Sequence, residues 1–100
     1  MSYLQFYKNL LMRRIVIENK FKRDAKKSFL ELVTAEWAEV LSCLCSDSYL
    51  PEKYKDHALI AEWKDFRDCH IRPDLVLIYT KKNDGFLQLV RLGSHSELFG

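Results

Sequence analysis

Residues 63–92 read WKDFRDCHIRPDLVLIYTKKNDGFLQLVRL, and this stretch decides the fold. Leu75-Val76-Leu77-Ile78-Tyr79 is an unbroken apolar run, the pattern of a central strand covered on both faces. Arg72-Pro73-Asp74 ahead of it is a turn, because proline fixes φ and aspartate favours turns. Before the turn, Trp63 to Ile71 reads as a strand with mixed alternation. After the run, Lys81-Lys82-Asn83-Asp84-Gly85 is a hairpin connection. Phe86 to Leu92 follows as a third strand, with Arg91 on the face of Leu87 and Leu89. Short turns between consecutive strands predict an antiparallel arrangement.

Upstream the period changes. Arg13-Arg14-Ile15-Val16-Ile17-Glu18 reads as a strand, its β-branched residues flanked by charge. Asn19 is placed to cap a helix. Phe21, Ala25, Phe29 and Leu32 then fall on one helical face, with lysines opposite. Thr34 is placed to cap a second helix, with Glu36 in its first turn. Trp37, Val40, Leu41 and Leu44 are its apolar stripe. Ser46 to Leu59 breaks the pattern and reads as an ordered loop, and Ser94 to Phe99 as a short terminal segment. Strand, two helices, three antiparallel strands (β-α-α-β-β-β) is an α+β domain, with its helices on one face of a mostly antiparallel sheet.

The chain has 100 residues, enough for one domain. Residues 12–100 are assigned to it, and the apolar, aromatic residues 1–11 to an N-terminal extension too short to span a membrane and unlike a signal peptide. The formal net charge is +2, but it is unevenly placed. Residues 1–27 hold eight Lys/Arg against two acids, a net +6, and residues 28–100 hold eight against twelve, a net −4. Lys20, Lys22, Arg23, Lys26 and Lys27 form a run able to neutralise phosphates. The competing reading is the solvated face of a helix. Three cysteines, Cys43, Cys45 and Cys69, make an odd count that suits a reducing cytoplasm. Cys43 and Cys45 lie about 200° apart around a helix, which favours buried free thiols over a shared metal.

The residues that could carry chemistry are His57, His70 and His95, with Asp68 and Asp74 flanking His70. Histidine is the side chain best placed to give and take protons near neutral pH. Arg91 could hold a phosphate with its fork of donors, and Phe99 could stack on a base. Such a set suits metal-free RNA cleavage: one group takes the 2′-OH proton, the oxygen attacks the adjacent phosphorus, and another group protonates the leaving 5′-oxygen. The histidine spacing matches no metal motif, so no metal or cofactor is expected.

Leu50-Pro51-Glu52-Lys53-Tyr54-Lys55-Asp56-His57-Ala58-Leu59 resembles the loop of YafQ-type toxins of the RelE/ParE superfamily. Trp63-Lys64-Asp65-Phe66-Arg67-Asp68-Cys69-His70 and Arg91-Leu92-Gly93-Ser94-His95-Ser96-Glu97-Leu98-Phe99 resemble two further motifs of that family, in the same order. The resemblance implies a RelE-like fold and a toxin that cleaves translated mRNA in the ribosomal A site without a metal. It implies acid–base roles for His57, His70, Asp74 and His95, with His95 as general acid and Asp74 or a histidine as base. Phe99 would position the mRNA, Asp68 would support the site, and Arg91 would stabilise phosphate. The five basic residues Lys20 to Lys27 would grip ribosomal RNA. The implied partners are a DinJ-like antitoxin and, through their complex, operator DNA. Two positions depart from the family: Ala61 stands where it usually has Gly, and Leu75 where some members have Trp. The alternatives are a ParE-like inhibitor of gyrase, and a catalytically impaired homologue serving as an antitoxin-bound co-repressor.

Overall fold

The computed structural model describes residues 12–82 and 85–100. The expected N-terminal extension, residues 1–11, and Asn83-Asp84 of the expected hairpin connection lie outside the described residues. In chain order the elements are β1 (Arg14–Ile17), α1 (Asn19–Lys27), a 3₁₀ segment (Phe29–Val33), α2 (Ala35–Cys45), a 3₁₀ turn (Glu52–Tyr54), β2 (His57–Ala58), a 3₁₀ turn (Ala61–Trp63), β3 (Arg67–Arg72), β4 (Leu75–Thr80), β5 (Phe86–Gly93) and α3 (His95–Phe99). The sheet order is β1-β5-β4-β3-β2. β1 runs parallel to β5, and every other pair is antiparallel. This is the expected α+β architecture, with β4 at its centre.

Alternation along β4 explains why its whole length is apolar. Leu77 and Tyr79 join the main core, where Phe21 of α1 and Trp37, Val40 and Leu44 of α2 pack on Cys69, Leu87 and Leu89. Val76 and Ile78 face the other way, into a smaller cluster with Val90 and Leu98, covered by Leu59, Trp63, Phe66 and Phe99. The helices therefore occupy one face of the sheet and leave the other to the loop after β2 and to α3.

Several expected boundaries move. Asn19 is the first residue of α1 and not its cap; Glu18 stands at the cap position, and its carboxylate accepts from the Gln88 amide of β5. α1 ends at Lys27, and the chain tightens into the 3₁₀ segment. The shorter turn rotates Phe29 off the apolar face, and it is 62% exposed. Thr34 does cap α2, its hydroxyl accepting from the Trp37 N–H at 3.3 Å. The expected loop of residues 46–59 contains Tyr54, which is buried and donates to Glu39. It also contains β2, whose two residues are too few for alternation to show. β3 starts at Arg67, four residues after the expected Trp63.

The face of Arg91 is also corrected. Tyr79 pairs with Leu89 but Ile78 pairs with Arg91, so β5 carries one extra residue, Val90, in a bulge. The bulge interrupts alternation and registers Arg91 with Ile78, on the face away from the main core.

Candidate active site

Strand pairing assembles the site. His57 of β2 pairs with Asp68 of β3. Asp68 pairs with Ile78, and His70 with Val76. All three therefore share the face opposite the helices. α3 reaches the same region from the end of β5. Its start is fixed by a capping box: the Glu97 N–H donates to the Ser94 hydroxyl at 3.2 Å, and the Ser94 N–H to Glu97 Oε1 at 2.8 Å. A methyl group added at Gly93 would lie 3.1 Å from that carboxylate, so glycine lets β5 and α3 approach this closely.

Asp68 is the hub. It is only 2% exposed. Its Oδ1 lies 3.1 Å from His57 Nδ1 but has no hydrogen bond of good geometry among the described residues. Burial pushes its carboxyl above the ordinary range, and charge on His57, His70 and His95 opposes that shift. All three imidazoles thus lie within electrostatic reach of one carboxylate. Two of them share an orienting device. His57 Nδ1 is 2.8 Å from the Lys55 carbonyl, and His70 Nδ1 is 3.3 Å from the Pro73 carbonyl. A neutral ring that donates Nδ1–H there leaves Nε2 free to accept a proton. The two rings are 6.5 Å apart. His95 opens α3, and its backbone N–H donates to Asp74 Oδ1 at 3.3 Å. His95 and Phe99, one helical turn apart, have ring centroids at 4.9 Å.

His57, Asp68, His70, Asp74, His95 and Phe99 are thus brought together. Arg91 lies at the edge of this face, and its guanidinium is already engaged: Nε donates to Asp24 Oδ2 at 2.7 Å and Nη2 to Asp24 Oδ1 at 3.3 Å. The basic run divides around α1. Lys20, Arg23 and Lys27 line one cleft with Arg91, whereas Lys22 stands about 200° from Lys20 around the helix.

Sequence reading passed over three features. Asp24, the single acid within the basic run, is the partner of Arg91. Asp56, next to His57, anchors the loop to the sheet: it accepts from Arg67 at 3.2 and 3.3 Å and from the Tyr79 hydroxyl at 2.5 Å. Trp63 meets Phe99 edge-on at 6.1 Å. The Ser94-x-x-Glu97 pattern was a legible capping signal; the other contacts join residues too far apart in sequence for any local pattern to mark.

Chemically, the arrangement offers two imidazoles held at Nδ1 by backbone carbonyls and a third imidazole on α3. The buried carboxyl of Asp68 lies beside the first of these rings, that of His57. A guanidinium and an aromatic ring stand beside them. Such groups can give and take protons, and the guanidinium and the ring can meet a phosphate and a base.

Comparison with known proteins places the chain among small toxins of RelE-like architecture. The profile of the family described as "Bacterial toxin of type II toxin-antitoxin system, YafQ" matches residues 13–100, and the chain belongs to that family. It is 36% identical over 93 residues to the mRNA interferase toxin YafQ of Escherichia coli strain B, which spans 91% of this chain and 100% of that protein. It superposes on a metal-bound toxin from Helicobacter pylori with a TM-score of 0.78 at 44% identity, covering 88% of this chain and 100% of that one. It superposes on YafQ in the Escherichia coli DinJ–YafQ complex with a TM-score of 0.73 at 34% identity, covering 88% and 99%. Among the described residues, no group of three or more His, Cys, Asp or Glu side chains could hold a metal ion.

Proposed function

We propose that this chain is an endoribonuclease that cuts translated mRNA in the ribosomal A site by metal-free acid–base catalysis. The observation that carries the reading is the placing of His57 and His70 beside the buried Asp68 carboxylate, on the sheet face that the helices leave open, with His95 tied to Asp74 by its backbone N–H. The name of the Escherichia coli relative, an mRNA interferase, supports it. His95, on the capped start of α3, acts as general acid toward the leaving 5′-oxygen. His57 or His70, each with Nε2 free, or Asp74 takes the 2′-OH proton. Phe99 stacks against a base of the message, and Arg91 faces the phosphate. Lys20, Lys22, Arg23, Lys26 and Lys27 hold ribosomal RNA.

A DinJ-like antitoxin is its partner, as the complex of the Escherichia coli relative suggests, and the pair binds operator DNA. The site of action is the cytoplasm. Among the described residues no helix is long and apolar enough to cross a membrane.

The test is induced expression of the chain and of His95→Ala, with growth and primer extension on a translated message. Cuts that depend on translation and vanish with His95→Ala are expected. Absence of cuts with the parent chain would remove the nuclease reading. Inhibition of gyrase supercoiling by the purified protein would replace it.

A further inference from the structure

Beside the histidine face lies a groove whose aromatic wall the acid–base chemistry does not use. Trp63 and Phe66 line it with Val90, and Ile17, Lys20 and Arg91 complete it across the sheet. Its volume is about 660 Å³, within the range of small-molecule sites. Trp63 and Phe66 meet edge-to-face at 5.6 Å and 87°. Both pack on the smaller apolar cluster, so the sheet holds their rings in place. We propose that this groove is a subsite for one further nucleotide of the single-stranded message, its base against the Trp63–Phe66 wall and its phosphate on Lys20 and Arg91, so that Lys20 serves the message and the other four basic residues of α1 the ribosomal RNA. The inference rests on the nuclease reading and extends the substrate contact beyond Phe99.

Three observations point to a nucleotide. First, the groove interleaves aromatic rings with cations, the combination that binds single strands without strict sequence preference. Lys82 adds a third cation, its ammonium 4.8 Å from the centre of the Phe66 ring. The acid lining the groove, Glu18, is engaged by Gln88. Secondly, the groove is continuous with the site. Phe99 touches His95 on one side and Trp63 on the other, so a strand laid over Phe99 is led from the acid–base groups to the Trp63 wall. Thirdly, Asp24 takes Arg91 Nε and Nη2, which leaves Nη1 to meet a phosphate from a guanidinium already fixed in orientation.

The test uses the full chain and a 2′-O-methylated RNA of about eight nucleotides, which cannot be cleaved because its 2′-oxygen is blocked. Affinity is read at low salt by anisotropy of the labelled strand. Contact with the wall is read from Trp63 emission in a Trp37→Phe background, which leaves Trp63 as the single tryptophan. Expected are a saturable change in Trp63 emission, loss of that change when the base at one position is removed, and about tenfold weaker binding with Phe66→Leu. Lys20→Ala weakens binding and lowers its salt dependence. Should Trp37→Phe fail to fold, the affinities of Lys20→Ala and of the abasic strand decide the matter alone. A strand that does not bind, or that binds without changing Trp63 emission and equally well to both variants, overturns the subsite. Saturable binding by an apolar peptide with none by RNA overturns it in favour of a protein partner. In each of those cases the parent chain's translation-dependent cutting stands if only the subsite is wrong, and is absent if the nuclease reading is wrong.

Discussion

Ala61 shows how much strain one backbone angle can hold. It adopts φ 56°, the left-handed region where a Cβ is strained and glycine is not. It opens the 3₁₀ turn that ends at Trp63, so the strain sits in the loop that carries the aromatic wall. Ala61→Gly is therefore expected to stabilise the fold by about 1 kcal/mol, a rise in melting temperature of about 5 °C, read by thermal unfolding. If Ala61→Gly also converts a chain that does not arrest growth into one that does, the co-repressor alternative holds; equal arrest by both removes it. Asp68 gives the opposite kind of test. Its carboxyl is raised by burial, so the folded state keeps the proton to higher pH than the unfolded chain does. Stability is then lost as pH rises from the unfolded value of 3.8 through the raised folded value. Asp68→Asn is expected to melt higher than the parent at neutral pH, with the gap closing as pH falls below that window, while RNA cleavage is lost. A variant that melts lower at neutral pH would mean that the carboxylate is net stabilising where it sits. Each titratable residue of the site was visible in the sequence. Their environments were not, because burial of Asp68 comes from strands β2, β3 and β4 meeting.

Among the elements, the clamp between α1 and β5 is the contact sequence reading could least supply. Asp24 Oδ2 accepts from Arg91 Nε at 2.7 Å and from the Leu92 N–H at 3.0 Å, across 67 and 68 residues. Burial works to raise the Asp24 carboxyl. The Arg91 and Leu92 hydrogen bonds, with the charges of Arg91 and Lys27, outweigh it and hold the group below its ordinary range. The stability this contributes is present above the unfolded value of 3.8 and disappears as pH falls through the lower folded value. Asp24→Asn should cost about 2 kcal/mol at neutral pH, and parent and variant should converge in acid; urea unfolding across pH measures both. A constant difference at every pH would show that the effect is packing and not charge. The same region shows where periodicity runs out. The strands and the Thr34 cap were legible because each repeats or ends on a local signal. The stop of α1 at Lys27, the two-residue β2 and the Val90 bulge were not. They answer to tertiary pairing, and the bulge alone turns Arg91 from the helix face to the site face.

Over the whole molecule, one sheet separates two tasks. The helix face buries the main core, and the open face carries the histidines. The uneven charge noted in the sequence becomes a geometric statement once α1 is placed. Lys20, Arg23 and Lys27 gather around Arg91 in one cleft, and Lys22 and Lys26 lie farther around the helix, about 200° and 240° from Lys20. If α1 grips phosphates as proposed, the two groups are not equivalent. Each phosphate contact on a single strand contributes about 0.7 to the slope of log affinity against log salt. Replacing Lys20, Arg23 and Lys27 together by Ala should reduce that slope by about 2, with a large loss of affinity at low salt. Replacing Lys22 and Lys26 should change it less. The 2′-O-methylated RNA titrated at several salt concentrations gives both slopes. Equal reductions per residue would mean that the strand's phosphates are not confined to the cleft of Lys20, Arg23, Lys27 and Arg91. Unchanged slopes for both variants would return the basic run to the reading it shares with many helices, a solvated face with no part in binding.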